Sequence, residues 1–343
     1  MPEVILAIVL LGVLVTFHEV GHFLAGRKAG VYIHEFAIGM GPALVSWQKG
    51  ETKYTIRLIP LGGYNRFAGD DTRDKDDDED IPADRLLNSQ SPGKRAGIIF
   101  AGPLANLLIA SVAFFIVFSI VGIYVPTTTI AEVMPGYPAE LAGIQAGDKV
   151  VKINDMPIES WEELTSVVRT KAGQSISLTF ERNGEQFEAV MIPIEMGGTG
   201  VIGIRPTSAL RRMNPIAGLY QGVRETLVVS MMWIQGIIGM ISGAVAPEVT
   251  GPIGITQILG EAARTGPGEL TYLFGALSAN LGLINLLPIP ALDGSRLIFL
   301  AVEKLRGRPV EPEKESLVHF IGFFLLISLF VFVSYKDILR LVR

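Results

Sequence analysis

Cysteine is absent from the sequence of 343 residues, and its absence excludes several kinds of chemistry. The chain can form no disulfide, offers no thiolate to a metal and has no cysteine nucleophile. Histidine is also scarce, so a metal site would have to combine histidine with aspartate or glutamate. The four histidines of the chain are His18, His22, His34 and His319.

Charged residues are few, at 18% of the chain, whereas hydrophobic residues make up 49% and the mean hydropathy is +0.42. This balance is too apolar for an ordinary soluble enzyme and predicts an integral membrane protein with a polar domain. Eight acidic and two basic residues lie between Asp70 and Asp80. That run predicts a solvated loop; a cation site is the alternative, but the spacing is not ordered. No basic patch suggests binding to nucleic acid.

The most informative stretch is His18-Glu19-Val20-Gly21-His22. On a helix this spacing directs both imidazoles to one face, where they can bind one metal ion beside the carboxylate of Glu19. The residues from Val4 to Phe17 carry no charge, so the helix can cross a bilayer and is interpreted as a membrane span rather than a removable signal peptide. Two histidines without a metal are the alternative. The apolar setting disfavours it, because ionisable groups in hydrocarbon need compensation.

A possible third ligand depends on which later segments cross the membrane. Further apolar segments lie at 96–124, 270–290 and 317–335. Asp293 is the candidate, because it is an acid in an otherwise apolar stretch. It reaches the level of His22 only if the mixed segment 214–244 does not cross and lies at the outer interface or dips partway into the membrane. With the positive-inside rule, this predicts four crossings with both termini outside.

Polar stretches separate these spans. Residues 31–67 contain β-prone runs and predict a small sheet whose exposed edge could pair with an extended peptide; a solvated cytoplasmic hairpin is the alternative. Residues 127–205 predict a compact α+β module outside the membrane, with a hairpin around Asn183-Gly184. In the second span, Asn106 is open to two interpretations, a hydrogen bond between helices or support of the metal site.

These features divide the chain into eight segments. They are a first transmembrane helix with the histidine motif (1–28), a cytoplasmic-side β segment with the acidic loop (29–93), a second transmembrane helix (94–125), the polar module (126–206), an interfacial or re-entrant helical region (207–268), a third transmembrane helix (269–296), a cytoplasmic loop (297–316) and a fourth transmembrane helix with the tail (317–343).

The histidine motif, the run from Asn285 to Gly294 (NLLPIPALDG) and the polar module between them resemble the site-2 protease family of intramembrane zinc metalloproteases. The match is to bacterial members with a single PDZ domain: Pro138 to Asn154 is similar to the permuted bacterial PDZ type, with 200–204 as a candidate carboxylate-binding loop. The resemblance implies a polytopic α-helical membrane protein with about four transmembrane helices, a membrane-associated β segment and one inserted α+β PDZ-like domain.

The same resemblance implies one catalytic Zn²⁺ and a set of site residues. The implied roles are zinc ligands for His18, His22 and Asp293, the catalytic carboxylate for Glu19, and substrate binding for Asn285, Gly102 and Asn106.

The function that the resemblance implies is hydrolysis of peptide bonds within the transmembrane segments of single-pass membrane proteins, such as pre-trimmed anti-sigma factors or remnant signal peptides. The protein would lie in the bacterial cytoplasmic membrane, with its active site toward the cytoplasm and the PDZ-like domain outside. That domain would either recruit a newly exposed C-terminus or exclude substrates with bulky outer domains. A zinc-binding membrane protein or transporter without peptidase activity is the alternative, and Glu19 discriminates because a zinc carrier needs no carboxylate there.

Overall fold

The described part of the chain covers most of the sequence. The computed structural model describes residues 2–70, 78–244 and 251–342. Residues 71–77, which make up most of the predicted acidic loop, lie outside the described residues. The prediction of a solvated loop there therefore stays a prediction.

Two compact units make up the fold. The first unit is formed by Met1–Val121 together with Met213–Arg343, and the second by Gly122–Arg212. The second unit is thus an insertion between two helices of the first, at the position predicted for the polar module.

The first unit is mostly helical, and six of its seven described helices begin at a proline, where the missing N–H costs nothing. A short π-helical turn, Val117–Val121, continues α2. The helices of this unit are α1 (Pro2–Lys28), α2 (Pro92–Ile116), α5 (Pro215–Ile241), α6 (Pro252–Thr265), α7 (Pro267–Leu286), α8 (Asp293–Arg306) and α9 (Pro312–Val342).

Helices α1, α2 and α7 approach one another closely because glycines lie at their contacts. A Cβ atom on Gly21 of α1 would lie 2.2 Å from a carbonyl oxygen of α2. On α7, a Cβ on Gly268 would lie 3.0 Å from Val121 Cγ1. A Cβ on Gly282 would lie 2.8 Å from the carbonyl oxygen of Pro103. Helix α7 therefore runs opposite to α2, with backbones brought together by small residues as in membrane helix bundles.

Three of the described helices are long and apolar enough to cross a membrane, namely Pro2–Lys28, Pro92–Val121 and Glu313–Leu339. They correspond to the predicted first, second and fourth spans. Helix α7, the predicted third span, is not among these three, although it lies along α2. Helix α5, predicted to be interfacial or re-entrant, is not among them either. The number of crossings stays a prediction.

Around Asp293 the helix boundaries differ from the prediction, which placed one span at 269–296 and a loop at 297–316. Helix α7 ends at Leu286, and α8 begins only at Asp293. Pro288 and Pro290 lie between them, and because proline has no N–H, neither can continue a helix by hydrogen bonding. The predicted cytoplasmic loop is therefore helical as far as Arg306.

Strands β1 (Ile33–Lys49) and β2 (Thr52–Phe67) form the hairpin expected in 31–67. The hairpin is bent back on itself. As a result, Phe36 of β1 has residues of β2 on both sides, with Asn65 on one side and Tyr54 on the other. Residues 63–67, here called the hairpin edge, consequently have a strand on one side only within the described sheet. The base of the hairpin packs on α1 through a buried apolar cluster that contains Phe23, Val31, Ile33, Phe36, Phe67, Leu87 and Ile98.

The second unit is an α+β module, as predicted, and its strands pair antiparallel. The predicted hairpin around Asn183-Gly184 is β6–β7, and Asn183 has the positive φ of 55° that such a turn requires. The pairing between β3 and β10, which joins the two ends of the unit, was not predicted. The elements are β3 (Ile123–Val133), α3 (Pro138–Leu141), β4 (Lys149–Ile153), β5 (Met156–Pro157), α4 (Trp161–Thr170), β6 (Ile176–Arg182), β7 (Glu185–Met191), β8 (Ile194–Met196), β9 (Thr199–Val201) and β10 (Ile204–Arg211).

Helix α9 is largely exposed along its length, as expected of a helix that faces lipid, but it carries a buried acid. Asp337 is only 5% exposed, and its carboxylate accepts the backbone N–H groups of Gly251 and Gly254 at the start of α6. These are N–H groups that a helix leaves without an internal partner. Asp337 therefore attaches α9 to α6.

Candidate metal centre

Three side chains from two distant parts of the chain converge at α1. His18 and His22 are buried, and their Nε2 atoms lie 3.1 Å apart because they are one turn apart on the helix. Asp293 Oδ2, at the first residue of α8, lies 3.1 Å from His18 Nε2 and 3.3 Å from His22 Nε2. Among the described residues, these three form the group of histidine and acidic side chains that could hold a metal ion.

The three donor atoms have the spacing that a tetrahedral zinc site requires. Zinc bonds to nitrogen and oxygen are about 2.0–2.1 Å long, so two ligand atoms of a tetrahedron lie about 3.3–3.4 Å apart. The observed separations of 3.1–3.3 Å are close to that value. Three lone-pair atoms at such distances repel one another unless a cation lies between them. The residues therefore fit the zinc ion that the sequence predicts.

Polar groups lie on the far side of each imidazole, against Nδ1, and they decide which ring nitrogen carries the proton. His22 Nδ1 lies 2.9 Å from the carbonyl oxygen of Ile98, so it carries the proton and leaves the Nε2 lone pair free. His18 Nδ1 lies 3.4 Å from the amide nitrogen Nδ2 of Asn106 and 3.5 Å from Nδ2 of Asn285. Only after one of these amides flips, which brings its oxygen to the position of Nδ2, does it accept a proton from Nδ1 and free Nε2 for a metal. The Oδ1 atom of Asn106 is buried without a hydrogen-bond partner, which favours such a flip.

Gly102 and Asn106, both predicted to bind substrate, lie against the imidazoles, and their role in substrate binding stays a prediction. Asn106 is 0% exposed, and its side chain contacts His18. Gly102 is buried against both imidazoles, and a Cβ atom there would lie 2.3 Å from His22 Nε2. Both residues thus shape the ligand side of the site. Asn285 is partly exposed beside His18, and its role in substrate binding stays a prediction.

Glu19 lies next to the ligands and is held by the hairpin. Asn65 Nδ2 donates to the Glu19 carboxylate oxygen Oε2 and to the Glu19 carbonyl oxygen, both at 2.8 Å. A Cβ atom on Gly63 would lie 3.2 Å from Glu19 Cγ. The hairpin edge therefore runs directly past the carboxylate. Asn65 was not predicted from the sequence, because it belongs to no motif and its contact with Glu19 joins residues 46 positions apart.

Asp293 is carried by a tight connection between α7 and α8. A Cβ atom on Gly294 would lie 2.2 Å from the carbonyl oxygen of Leu287, so only glycine lets the first turn of α8 approach the end of α7 this closely. The glycine after Asp293 therefore has a packing function, which brings the acid to the level of His18.

A cavity of about 1270 Å³ adjoins Asp293. Its walls carry the ion pair between Arg296 and Asp70, 3.1 Å apart, and that between Arg95 and Glu303. All these residues belong to the first unit. Charged side chains therefore line part of the space beside Asp293.

The sequence model of peptidase family M50 matches residues 6–329. Zinc metalloprotease RasP of Oceanobacillus iheyensis is 34% identical, with 99% of this chain and 100% of the relative covered. A putative zinc metalloprotease of Clostridium acetobutylicum is 35% identical, with 98% and 97% covered.

Among solved structures, the PDZ domain of an SdrC-like protein from Listeria monocytogenes is similar to 25% of this chain and 86% of its own length. The identity is 23% and the TM-score is 0.20. The architecture of the second unit is that of its sheet, in which the strands lie in the order β10-β3-β4-β6-β7, with β5 beside β4.

Proposed function

Because the chain belongs to peptidase family M50 and is related to proteins named zinc metalloproteases, we propose that this zinc metalloprotease cuts peptide bonds inside the membrane-spanning segments of other proteins. The observation that carries the proposal is the position of the metal cluster. His18, Glu19 and His22 lie in a helix that is apolar enough to cross a membrane, and Asp293 joins them from the connection after α7. A substrate reaching these groups would itself lie within the bilayer.

The chemistry assigned to the site is hydrolysis by water. Zinc held by His18, His22 and Asp293 would supply the Lewis acid that activates the water and polarises the peptide carbonyl. Glu19 accepts a proton from the attacking water as its oxygen bonds to the carbonyl carbon. The carboxylic acid then passes that proton to the amide nitrogen as the C–N bond breaks. The products are a carboxylic acid and an amine, and transfer of the second water proton between them gives a carboxylate and an ammonium group. Asn65 directs the Glu19 carboxylate by donating to Oε2.

A helical substrate must unwind before it can be cut, because its amides are enclosed in helical hydrogen bonds. In lipid, the freed N–H and C=O groups need new partners. The hairpin edge, beside Glu19, has one side free of a strand within the described sheet and supplies such partners if the substrate adds to it as an extended strand. On this proposal Asn285, beside His18, contacts the same extended segment.

The proposed substrates are single-pass membrane proteins, such as pre-trimmed anti-sigma factors or remnant signal peptides. The protein would lie in the bacterial cytoplasmic membrane, with the second unit outside and the metal centre toward the cytoplasmic side. Replacing Gly122–Arg212 by a short glycine linker tests the role of the second unit, since Ile123 pairs with Arg211 and the two ends already lie close together. New cleavage of an untrimmed substrate supports exclusion, whereas lost cleavage of the trimmed form supports recruitment.

The competing function is metal binding without proteolysis, as in a zinc carrier or a scaffold. A carrier has no use for a carboxylate beside the ligands that is oriented by its own hydrogen bond, as Glu19 is by Asn65. That contact is the specific reason for preferring the protease.

A model transmembrane peptide, incubated with the purified full-length protein in lipid nanodiscs, tests the proposal. We expect mass spectrometry to map the cut within the apolar segment, and EDTA to abolish it. Cuts confined to the polar flanks of the peptide, or cleavage that survives removal of the metal, would contradict the proposal.

A further inference from the structure

Ala291 lies two residues before Asp293 and has an unusual backbone. Its φ of 74° is in the left-handed region, which a residue with a Cβ atom adopts only when its surroundings hold it there. Its N–H donates to Nδ1 of His319 on α9, over 3.0 Å. The hydrogen bond joins the connection that carries Asp293 to a helix that contributes no ligand itself.

The other N–H groups of this connection have local partners. Leu287 N–H donates to Ile284 O, Ile289 N–H to Leu287 O, and Leu292 N–H to Ile289 O, at 3.0, 2.7 and 3.1 Å. Pro288 and Pro290 have no N–H to donate. Among residues 287–292, Ala291 is thus the one whose N–H is accepted by another helix.

The same face of α9 packs closely against residues 287–292, which connect α7 to α8. Gly322 is one turn after His319, and a Cβ atom on it would lie 2.2 Å from Pro290 Cβ and 2.6 Å from the Pro290 carbonyl oxygen. The ring of His319 also packs on Phe299 of α8, with ring centroids 5.8 Å apart. Helix α9 therefore touches both the residue before Ala291 and the helix that starts at Asp293.

We infer that His319 is a positioning residue for the third metal ligand. Its Nδ1 lone pair accepts the Ala291 N–H and holds the strained turn that directs Asp293 Oδ2 toward His18 and His22. The opposite ring nitrogen, Nε2, then carries the proton and faces Glu315 Oε1 at 3.8 Å. The inference rests on the proposed role of Asp293 as a zinc ligand, and the experiment below separates the two.

Asparagine and leucine have nearly the same shape, and both lack the imidazole ring, but only asparagine offers an acceptor close to the position of Nδ1. Zinc retention is measured on the purified full-length protein by competition with a chromogenic chelator. We expect His319→Asn to retain zinc almost as the wild type does, and His319→Leu to lose about tenfold or more in zinc affinity. Equal retention in the leucine variant, or an equal loss in both variants, would overturn the inference. Equal loss would mean that the ring matters only for packing on Phe299.

A second pair of variants tests the contact of α9 without altering His319. Gly322→Ala places a methyl group against Pro290 and is expected to weaken zinc binding, whereas Gly236→Ala on α5, where a Cβ meets nothing within 4 Å, is expected to leave it unchanged. If Gly322→Ala retains zinc fully, α9 does not position the connection.

Asp293→Asn completes the series. If this variant binds zinc as tightly as the wild type, the proposed metal centre itself fails. If it loses zinc while His319→Leu does not, only the inference about His319 fails.

Discussion

At the scale of single residues, the site depends on the absence of a side chain at one glycine as much as on the ligand side chains. The motif from His18 to His22 predicted two ligands and a carboxylate, and the structure brings Asp293 to within 3.3 Å of both imidazoles. Gly102 is as important as the ligands for bringing these side chains together, because its lack of a side chain leaves the space that the imidazoles occupy. A pattern of residue types predicts ligands, but it does not predict which glycine must make room for them.

Gly102 provides a sharp test of this point. In Gly102→Ala the new methyl group would lie 2.3 Å from His22 Nε2, so the ligand must move. We expect zinc affinity to fall by about 10- to 100-fold, measured by metal analysis after dialysis against a weak chelator. Gly97→Ala, on the same helix with nothing within 4 Å of the added atom, is the matched control and should bind zinc normally. Normal zinc binding by Gly102→Ala would contradict this account of the site.

Asn65 makes a prediction about catalysis rather than metal binding. Asn65→Leu preserves the shape of the side chain but removes both hydrogen bonds to Glu19. We expect zinc content to be unchanged and kcat/KM for a model transmembrane peptide to fall by about 10- to 100-fold. Gln48→Leu, at the far and exposed end of the hairpin, is the control and should keep full activity. An Asn65→Leu enzyme with wild-type kinetics would show that Glu19 needs no support from the hairpin.

At the scale of elements, periodicity and turn residues predicted most of what formed. The hairpin at Asn183-Gly184 was predicted, because an Asn-Gly turn is a local signal. The capping box of Ser160 and Glu163, at the start of α4, is a local signal of the same kind. The break between α7 and α8 was not predicted, because residues 269–296 were expected to form one helix. Its prolines are visible in the sequence, but the helical state of the residues after Asp293 depends on packing against the rest of the unit.

The bent hairpin is braced by a cluster around Glu35, and this cluster predicts a dependence on pH. Burial raises the pKa of the Glu35 carboxyl. Hydrogen bonds donated by Thr55, Tyr64 and Arg57 outweigh burial and hold that pKa below its ordinary value. The ionised carboxylate therefore stabilises the folded hairpin above the unfolded pKa of about 4.3, and this stability is lost as the pH falls through the folded value.

Glu35→Gln removes the charge that Arg57 faces at 3.0 Å. We expect the free energy of opening of the hairpin to fall by about 1–3 kcal/mol at neutral pH, and to change less than that of the wild type as the pH is lowered from 6 to 3. Hydrogen exchange of the hairpin amides, followed by mass spectrometry, measures both. Parallel pH profiles for the two proteins would contradict a stabilising role for the ionised carboxylate.

At the scale of the whole molecule, the sequence predicted an order of spans that the direction of the helices supports. Asp293 can reach His22 only if α7 runs opposite to α2, and the contacts at Gly268 and Gly282 have that direction. Hydropathy alone selects three spans and omits α7, since this helix buries glycine, serine and alanine against α2 instead of exposing a wholly apolar surface. The basic tail, with Lys336, Arg340 and Arg343, still opposes the predicted outer location of the C-terminus.

The absence of cysteine makes this topology directly testable. We predict that Thr265→Cys, at the end of α6, reacts with a membrane-impermeant maleimide in intact cells, because a Cβ on Gly260 of the same helix would touch Glu3, near the N-terminus that is predicted to lie outside. Glu311→Cys, between α8 and α9, should react only after the cells are permeabilised. Labelling of Glu311→Cys in intact cells, with Thr265→Cys protected, would reverse the proposed orientation.

The central claim is that His18, His22 and Asp293 bind zinc so that Glu19 can activate water for cleavage within the membrane. Zinc content and cleavage of a transmembrane peptide, measured on one preparation of Glu19→Gln, test it most directly. The account predicts wild-type zinc content and a loss of cleavage, because the amide keeps the shape of the side chain but cannot accept the proton. Cleavage retained by Glu19→Gln at a rate near that of the wild type would contradict it.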